Sequence, residues 1–261
     1  MKPGLSFAAA AMIVMLAGGA APAAGIEGPV PLPRPKPARP QPLPIPAVPA
    51  PSGQPQHARP PAAQTPDFEI AARCLAALKR QGVVAKAADP FRDEKDSGCG
   101  INDPVKITAI TVRGKIQDIS SLRFSPPMLL SCAFAAVLTG WLRDVVAPLA
   151  VYHLDAALRG VAAGPGYVCR RRNNRPGGKL SEHAFGNAAD LMRFSFSNGQ
   201  KLPVAAWNSA PASEKAFLRA VRGTACGYFT TVLGPGSAFH DNHFHLDRGI
   251  HGRSGNYRIC E

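Results

Sequence analysis

The chain has 261 residues, and its 30 lysines and arginines outnumber its 17 aspartates and glutamates, which gives a formal net charge of +13. This basic balance favours anionic partners, but charge alone does not choose between nucleic acid and acidic cell-envelope polymers. Because the sequence contains no nucleic-acid-binding motif and no internal repeat, we expect no nucleic-acid partner and no repeat architecture.

The N-terminus has the pattern of a secretory signal peptide. Lys2 is followed by a largely apolar stretch, Leu5 to Leu16, and then by small residues through position 24. Because this stretch is short for a membrane span, we predict a cleaved signal peptide over residues 1–24, with an uncleaved anchor as the alternative. In the mature chain we expect no stable transmembrane segment. Arg143 and Asp144 interrupt the most apolar stretch, Met128 to Leu149, which therefore predicts a buried helix.

Residues 25–66 form a proline-rich linker, in which prolines alternate with other residues, as in Pro31-Leu-Pro-Arg-Pro-Lys-Pro37. Proline has no backbone N–H and a fixed φ, so neither a helix nor a sheet is expected here. We predict a disordered, extended spacer of polyproline type. The linker is basic, so it either contacts an anionic wall or membrane surface or serves as a plain tether.

The remaining residues, 67–261, have the ordinary size of one globular domain. Periodicity and turn residues predict helices over Asp67–Gln81, Pro127–Val146 and Ala212–Arg222, and strands over Val105–Val112, Leu154–Gly160, Gly166–Arg170, Phe194–Gly199, Tyr228–Leu233 and Asn242–Asp247. Helices come first and strands later, which favours an α+β fold over a wound parallel sheet. We expect a single domain with a central, mostly antiparallel sheet flanked by helices.

All six cysteines lie in this domain, at Cys74, Cys99, Cys132, Cys169, Cys226 and Cys260. None forms a C-x-x-C pair, so their spacing is typical of disulfides rather than of a zinc finger. Behind a signal peptide, we predict three disulfides formed in an oxidising compartment. The sequence leaves the pairing open, and a Cys74–Cys99 bond is favoured only because that loop is local.

Two histidine-containing segments look like two halves of one metal site. They are Ser181-Glu-His-Ala-Phe-Gly-Asn-Ala-Ala-Asp190 and His240-Asp-Asn-His-Phe-His-Leu-Asp247. Together they offer imidazoles and a carboxylate, a donor set that suits zinc. Three protein ligands with one open position are typical of a catalytic zinc rather than a structural one. Of the other histidines, His57 and His153 are predicted to be ordinary residues, and His251 is predicted to be a surface residue.

The second segment has the alternation of a strand. A strand would place His243, His245 and Asp247 on one face, and Phe244 and Leu246 on the other. The two apolar residues would then anchor the back of the strand, while the carboxylate could orient a histidine on the front.

The first segment requires a bend. His183 and Asp190 are seven residues apart, and an odd separation places them on opposite faces of a continuous strand. They converge only if the chain turns between them, and Gly186 permits such a turn. We therefore expect a loop histidine followed by a carboxylate on a strand.

These segments support a resemblance to known families. The first carries S-x-H-x-x-G-x-A-x-D in full, and His243-Phe-His245 carries H-x-H. The motifs resemble those of the zinc peptidase superfamily that includes D-Ala-D-Ala carboxypeptidases, lysostaphin-type enzymes and the hedgehog signalling domain. The spacing of the three histidines from His240 is especially similar to that of penicillin-insensitive murein endopeptidases. The whole domain, with its cysteines and proline-rich arm, resembles the bacterial extensin-like C-terminal domain family.

By position, the resemblance implies His183, Asp190 and His245 as zinc ligands, His243 as general base or transition-state stabiliser, and His240 as a residue lining the site. D-Ala-D-Ala dipeptidases of the superfamily have a glutamate three residues before the last ligand. Here that residue is Asn242, which cannot act as a base, so the base is either His243 or absent. Relatives carry an arginine for a substrate carboxylate ahead of the first motif, and Arg170 is the candidate, unless it is merely structural or solvated.

The resemblance, the signal peptide and the basic charge together predict an exported, zinc-dependent hydrolase that cuts an amide bond in the peptide part of peptidoglycan. It would act in the periplasm or cell envelope. The alternative is a non-catalytic cell-wall-binding or structural module whose zinc site is structural or vestigial. In both cases the expected partner is peptidoglycan or another anionic cell-envelope polymer, and the sequence leaves the bond cleaved and the oligomeric state open.

Overall fold

The structure is a computed structural model that describes residues 67–112, 120–253, 255 and 257–261. The predicted signal peptide and proline-rich linker lie outside these residues. The described residues form a mixed α+β domain with a large central sheet, flanking helices and three disulfides. The predicted fold class is therefore confirmed.

The helices agree in part with the predicted elements. Within the described residues the α-helices are α1 (Asp67–Arg80), α2 (Cys132–Trp141), α3 (Ala147–Leu154) and α4 (Ala212–Ala225). A π-helical turn, Leu142–Val146, joins α2 to α3 without a break. The helices predicted to begin at Asp67 and Ala212 are confirmed, whereas the middle helix begins and ends later than predicted.

The strands are β1 (Val83–Ala87), β2 (Phe91–Arg92), β3 (Gly100–Ile101), β4 (Pro104–Val112), β5 (Ser120–Ser131), β6 (Leu158–Ala163), β7 (Ala188–Phe196), β8 (Lys201–Pro203), β9 (Thr231–Leu233), β10 (Phe244–Asp247) and β11 (Ile259–Cys260). The central sheet has the order β1-β4-β5-β6-β7-β10-β9-β11, and β8 pairs with β7. The β5–β6 and β9–β11 pairs are parallel and the remaining pairs antiparallel, as expected for a mostly antiparallel sheet. Strands β2 and β3 form a separate hairpin.

The middle helix begins at Cys132, not at Pro127 as predicted. The Ser131 hydroxyl accepts a hydrogen bond from the Phe134 N–H and caps the helix. Pro127 lies in β5, in a stretch where the β4–β5 register shifts and residues 124–127 have no β4 partner. Proline lacks the N–H that a ladder needs, so it is tolerated at such an irregularity. The prediction was wrong because proline suits both a first helical turn and a bulged strand.

The helical stretch Cys132–Leu154 is long and apolar enough to cross a membrane by length and composition alone. Half of its most apolar window is buried inside the fold. Phe134, Leu138 and Trp141 are fully buried, while Arg143 forms an ion pair with Asp144 on the outer side. These features are those of a core helix, which agrees with the predicted buried helix.

Several strand predictions were wrong at their ends. Asp155 adopts a left-handed conformation that ends α3, so the strand predicted from Leu154 begins only at Leu158. The Gly166–Arg170 segment makes a single bridge to Leu129 instead of forming a strand. Strand β9 begins at Thr231 rather than Tyr228, and β10 begins at Phe244 rather than Asn242 and is followed by β11. Short strands are defined by partners from distant segments, which local pattern does not reveal.

The six cysteines form three disulfides, as predicted, but the Cys74–Cys99 pairing was wrong. The bonds are Cys74–Cys132, Cys99–Cys169 and Cys226–Cys260. The first joins α1 to the start of α2, the second joins the β2–β3 hairpin to the segment after β6, and the third joins α4 to β11. Pairing follows the packing of these elements, so proximity along the chain was a poor guide.

Candidate metal centre

His183, Asp190 and His245 bring three potential metal donors together. His183 Nε2 lies 3.2 Å from Asp190 Oδ2 and 3.3 Å from His245 Nδ1, and His245 Nδ1 lies 2.8 Å from Asp190 Oδ1. The two histidines are almost fully buried, whereas the carboxylate is partly open. The structure thus brings together the residues that the resemblance implied as ligands.

The antiparallel register of β7 and β10 places two of these residues side by side. His245 is directly opposite Asp190, so their side chains project from the same face of the sheet. The neighbouring residues of β10, Phe244 and Leu246, are buried on the other face, as the alternation predicted. The carboxylate and the imidazole are therefore positioned by backbone hydrogen bonds rather than by a flexible loop.

His183 reaches the same point from a 3₁₀ turn, Glu182–Phe185. Gly186 ends this turn with φ +61°, which is the bend that the spacing of the first segment required. A Cβ at this position would lie 2.4 Å from the Ile101 side chain and 2.6 Å from the Ser131 nitrogen. Glycine is therefore needed here both for its backbone conformation and for the close approach of the neighbouring chain.

Each candidate histidine ligand is held by a hydrogen bond on its outer nitrogen. His183 Nδ1 donates to the Gly166 carbonyl at 2.7 Å, and His245 Nε2 donates to Asp247 Oδ2 at 3.0 Å. With these protons on the outer nitrogens, the lone pairs of the inner nitrogens face the cluster in the neutral imidazoles. Histidine ligands of metals are usually oriented in this way by a carbonyl or a carboxylate.

The donor set fits a tetrahedral zinc ion. Ligands about 2.0–2.1 Å from a tetrahedral zinc are about 3.3 Å from one another. The two imidazole nitrogens are 3.3 Å apart, close to that value. Each also lies near a carboxylate oxygen of Asp190, with His183 Nε2 3.2 Å from Oδ2 and His245 Nδ1 2.8 Å from Oδ1. Two imidazole nitrogens and one carboxylate oxygen are donors that zinc prefers, and they leave one position for water or substrate.

His243 and His240 lie beside this cluster. His243 precedes β10, so the same-face prediction does not describe it, yet its Nε2 is 3.6 Å from Asp190 Oδ1. Its Nδ1 donates to Asn242 Oδ1 at 2.8 Å, which leaves the lone pair on Nε2. The His240 ring centroid lies 5.0 Å from that of His243 and 5.7 Å from that of His245. The structure therefore gathers all four predicted histidines at one site.

A family model described as "Extensin-like protein C-terminus" matches residues 72–261 of the chain. The chain belongs to this extensin-like family. No curated protein and no solved structure matches it. Membership identifies the domain that carries the cluster, and by itself it specifies neither a reaction nor a ligand.

The electrostatics of the extensin-like domain couple the carboxylate to the buried imidazoles. Burial opposes ionisation of Asp190, but hydrogen bonds from His183 and His245 outweigh it and hold the pKa of this carboxyl far below its usual value. Burial also opposes protonation of His245, but its hydrogen bonds to Asp190 and Asp247 raise its pKa to about 9 in the metal-free domain. Burial lowers the pKa values of His240 and His243. A cation bound among these residues would compete with protonation of the imidazoles.

Burial is the main cause of the lowered pKa of His240 in the extensin-like domain, and the charge of Arg170 adds a smaller contribution in the same direction. The two neighbours of Arg170 are engaged elsewhere, since Arg171 pairs with Asp96 and Arg172 pairs with Glu182. Of the three consecutive arginines, Arg170 is thus the one whose charge acts on His240.

Two contacts of the site were missing from the sequence predictions. The Gly166 carbonyl holds His183, and a backbone acceptor leaves no residue-specific signal in a sequence. His251, which was predicted to be a surface residue, is half-buried, and its Nε2 forms a 2.7 Å hydrogen bond with the hydroxyl of Thr231, the residue opposite Asp247. No motif in the sequence indicates this second contact, because its partners lie on separate strands.

Proposed function

We propose that this protein is an exported, zinc-dependent hydrolase that cuts an amide bond in the peptide part of peptidoglycan. The observation that carries the proposal is the compact cluster of His183, Asp190 and His245 with a further imidazole, that of His243, beside it. Such a cluster in a partly open site is the arrangement expected of a hydrolytic metal centre rather than of a packing core.

In this proposal His183 Nε2, Asp190 and His245 Nδ1 hold the zinc. When bound, zinc supplies Lewis-acid polarisation of the scissile carbonyl and lowers the pKa of water. Gly166 and Asp247 keep the two imidazoles aligned, so little reorganisation accompanies binding of the ion.

His243 acts as the general base. Its Nδ1–H is held by Asn242, so the Nε2 lone pair is directed towards the side of the cluster where Asp190 lies. A water molecule between Nε2 and the substrate carbonyl would transfer its proton to this nitrogen. The same imidazolium could then return the proton to the leaving amine. His240 lines the entrance and restricts the approach of the substrate.

Arg170 binds a carboxylate of the substrate. The guanidinium group offers a planar pair of N–H donors that match a carboxylate, such as a peptide C-terminus or a diaminopimelate side chain. The pairing of Arg171 and Arg172 with acidic residues supports the choice of Arg170 among the three arginines.

The substrate class and the location rest on the character of the whole chain. Three disulfides and an extensin-like family are compatible with an extracellular or envelope location. The motifs resemble those of zinc peptidases that act on peptidoglycan, and the net charge of +13 favours an anionic wall polymer. We infer that the protein acts in the periplasm or cell envelope.

The proposal is tested first by metal content and then by turnover. The full oxidised chain should bind about one zinc, and His183→Ala and Asp190→Ala should abolish binding. His243→Ala should retain zinc but lose hydrolysis of purified peptidoglycan, measured as newly released amino groups. His153→Ala, in α3, is the matched control and should keep both properties. Absence of zinc from the wild-type chain, even when zinc is supplied, would contradict the proposal.

A non-catalytic wall-binding module is the second candidate. It is favoured by the position of His243, whose Nε2 is close enough to Asp190 to act as a fourth ligand after a small movement. A fourth protein ligand would close the site and make the zinc structural. In that case His243→Ala should weaken zinc binding, whereas the hydrolase proposal expects zinc binding to persist.

A further inference from the structure

A row of polar side chains continues from the candidate metal centre across the sheet. Asp247 on β10 is directly opposite Thr231 on β9, just as His245 is opposite Asp190 on the other side of β10. His245, Asp247 and Thr231 are each at most 8 % exposed. Beyond Thr231, the row ends at His251, which is half-buried.

Hydrogen bonds connect the members of this row. His245 Nε2 lies 3.0 Å from Asp247 Oδ2, and the Gly249 N–H lies 2.9 Å from Asp247 Oδ1. Thr231 lies directly opposite Asp247 in the β9–β10 register, so its hydroxyl is on the same face of the sheet as this carboxylate. On its other side, Thr231 Oγ1 lies 2.7 Å from His251 Nε2. Every polar group between the metal centre and His251 therefore has a partner within the row.

The direction of each bond follows from the carboxylate in the middle. An ionised carboxylate only accepts hydrogen bonds, so in a contact between Thr231 and Asp247 the hydroxyl is the donor. The Thr231 oxygen can then only accept from His251, which requires the proton on His251 Nε2. On the other side, His245 must donate from Nε2, which leaves Nδ1 free to face the metal centre.

We propose that Thr231 and His251 position the metal ligand His245 by holding the Asp247 carboxylate from behind. This inference rests on the proposed metal site and extends it to two residues that do not touch the ion. Without the Thr231 hydroxyl, the buried carboxylate of Asp247 loses one hydrogen-bond donor, and it can then rotate about its side-chain bond towards a different donor. Rotation of the carboxylate would release the orientation of the His245 ring.

Loss of a residue that hydrogen-bonds a metal ligand typically weakens metal binding about 10- to 100-fold. Asp247 makes such a contact, and Thr231 acts one bond farther away. We therefore expect Thr231→Val and His251→Leu to weaken zinc binding by about 10-fold, at the lower end of that range. Thr231→Ser keeps the hydroxyl and His251→Gln keeps an N–H donor. Both variants should therefore have a zinc affinity close to that of the wild type.

Thr230→Val is the matched control. The Thr230 hydroxyl donates to the carbonyl oxygens of Asp247 and Gly249, so it belongs to the same strand end but does not contact the carboxylate. This variant removes an equally placed hydroxyl and should leave zinc affinity unchanged.

The experiment measures the zinc affinity of the full oxidised chain by competition with a chromophoric chelator. It also records the visible d–d absorption bands of the chain loaded with Co²⁺ in place of zinc. Thermal unfolding of the metal-free variants separates loss of fold from loss of positioning. The inference predicts weaker zinc binding and similarly altered cobalt bands in Thr231→Val and His251→Leu, without a matching change in Thr230→Val.

Wild-type zinc affinity and unaltered cobalt bands in both Thr231→Val and His251→Leu would overturn the inference. So would an equal loss in Thr230→Val, because it would indicate general loosening of the strand end. Failure of the wild-type chain to bind zinc is a separate result, which would remove the metal site itself. Because His251 is half-buried, its variants keep the test available if the Thr231 variants fold poorly.

Discussion

Replacement of Gly186 by alanine should destabilise the domain and displace His183 from the candidate metal centre. The residue has φ +61°, and a non-glycine residue in this conformation costs about 1–2 kcal/mol. In addition, the new Cβ would lie 2.4 Å from Ile101 Cδ1 and 2.6 Å from the backbone nitrogen of Ser131. The Ile101 side chain can move, but the Ser131 backbone is held by its hydrogen bond to the Gly186 carbonyl.

Overpacking of this kind costs about 1–3 kcal/mol, so the total loss of unfolding free energy should be about 2–5 kcal/mol. Gly199→Ala provides the matched control, because Gly199 also has a positive φ, +83°, but has open space around its Cβ position. It should lose only about 1–2 kcal/mol. The difference between the two variants isolates the close approach at Gly186.

Urea unfolding of the full chain with its disulfides intact measures both losses, provided that the two variants share the same slope. Zinc affinity should fall in Gly186→Ala and remain unchanged in Gly199→Ala, since only the first residue is next to the His183 turn. Equal losses of stability in the two variants, with zinc affinity preserved in both, would refute the argument that backbone packing at Gly186 places His183.

Three further predictions concern the surroundings of the site. Arg170→Gln should weaken binding of peptidoglycan fragments about 10- to 100-fold, because charge-assisted hydrogen bonds to the substrate are lost. Arg175→Gln, at an exposed position, is the control and should leave binding unchanged. Equal effects of the two variants in a binding assay would contradict the role assigned to Arg170. The double variant Cys99→Ala/Cys169→Ala removes a disulfide that spans 70 residues, so the free energy of unfolding measured in urea should fall by about 4 kcal/mol. An unchanged urea midpoint would refute this prediction. Burial and a hydrogen bond to the Asp93 carboxylate raise the pKa of Tyr167 from its ordinary value of 10 to about 12. The phenol therefore stabilises the folded state below pH 10, and this contribution to the free energy of unfolding should be lost as the pH rises from 10 through about 12. An absorbance titration should show this late phenol, and its persistence in Tyr167→Phe would disprove the assignment.

The sequence alone determined those features that are encoded by neighbouring residues. The alternation of Phe244 and Leu246 with His245 predicted that these two apolar residues anchor the back of β10, and both belong to the hydrophobic core. The odd spacing of His183 and Asp190 required a bend, which occurs at Gly186. Apolar residues at helical spacing likewise predicted α1. Each of these depends on local backbone geometry and side-chain period, which operate within a few residues.

Tertiary structure decided the features that join distant segments. The register that sets Asp190 opposite His245, the Gly166 carbonyl behind His183, and the contact of Thr231 with His251 all link different elements. The disulfides follow the same rule, since Cys99 bonds to Cys169 across 70 residues rather than to the nearer Cys74. Such contacts result from the packing of the whole sheet, whose free energy is distributed over the core, so no local pattern specifies them.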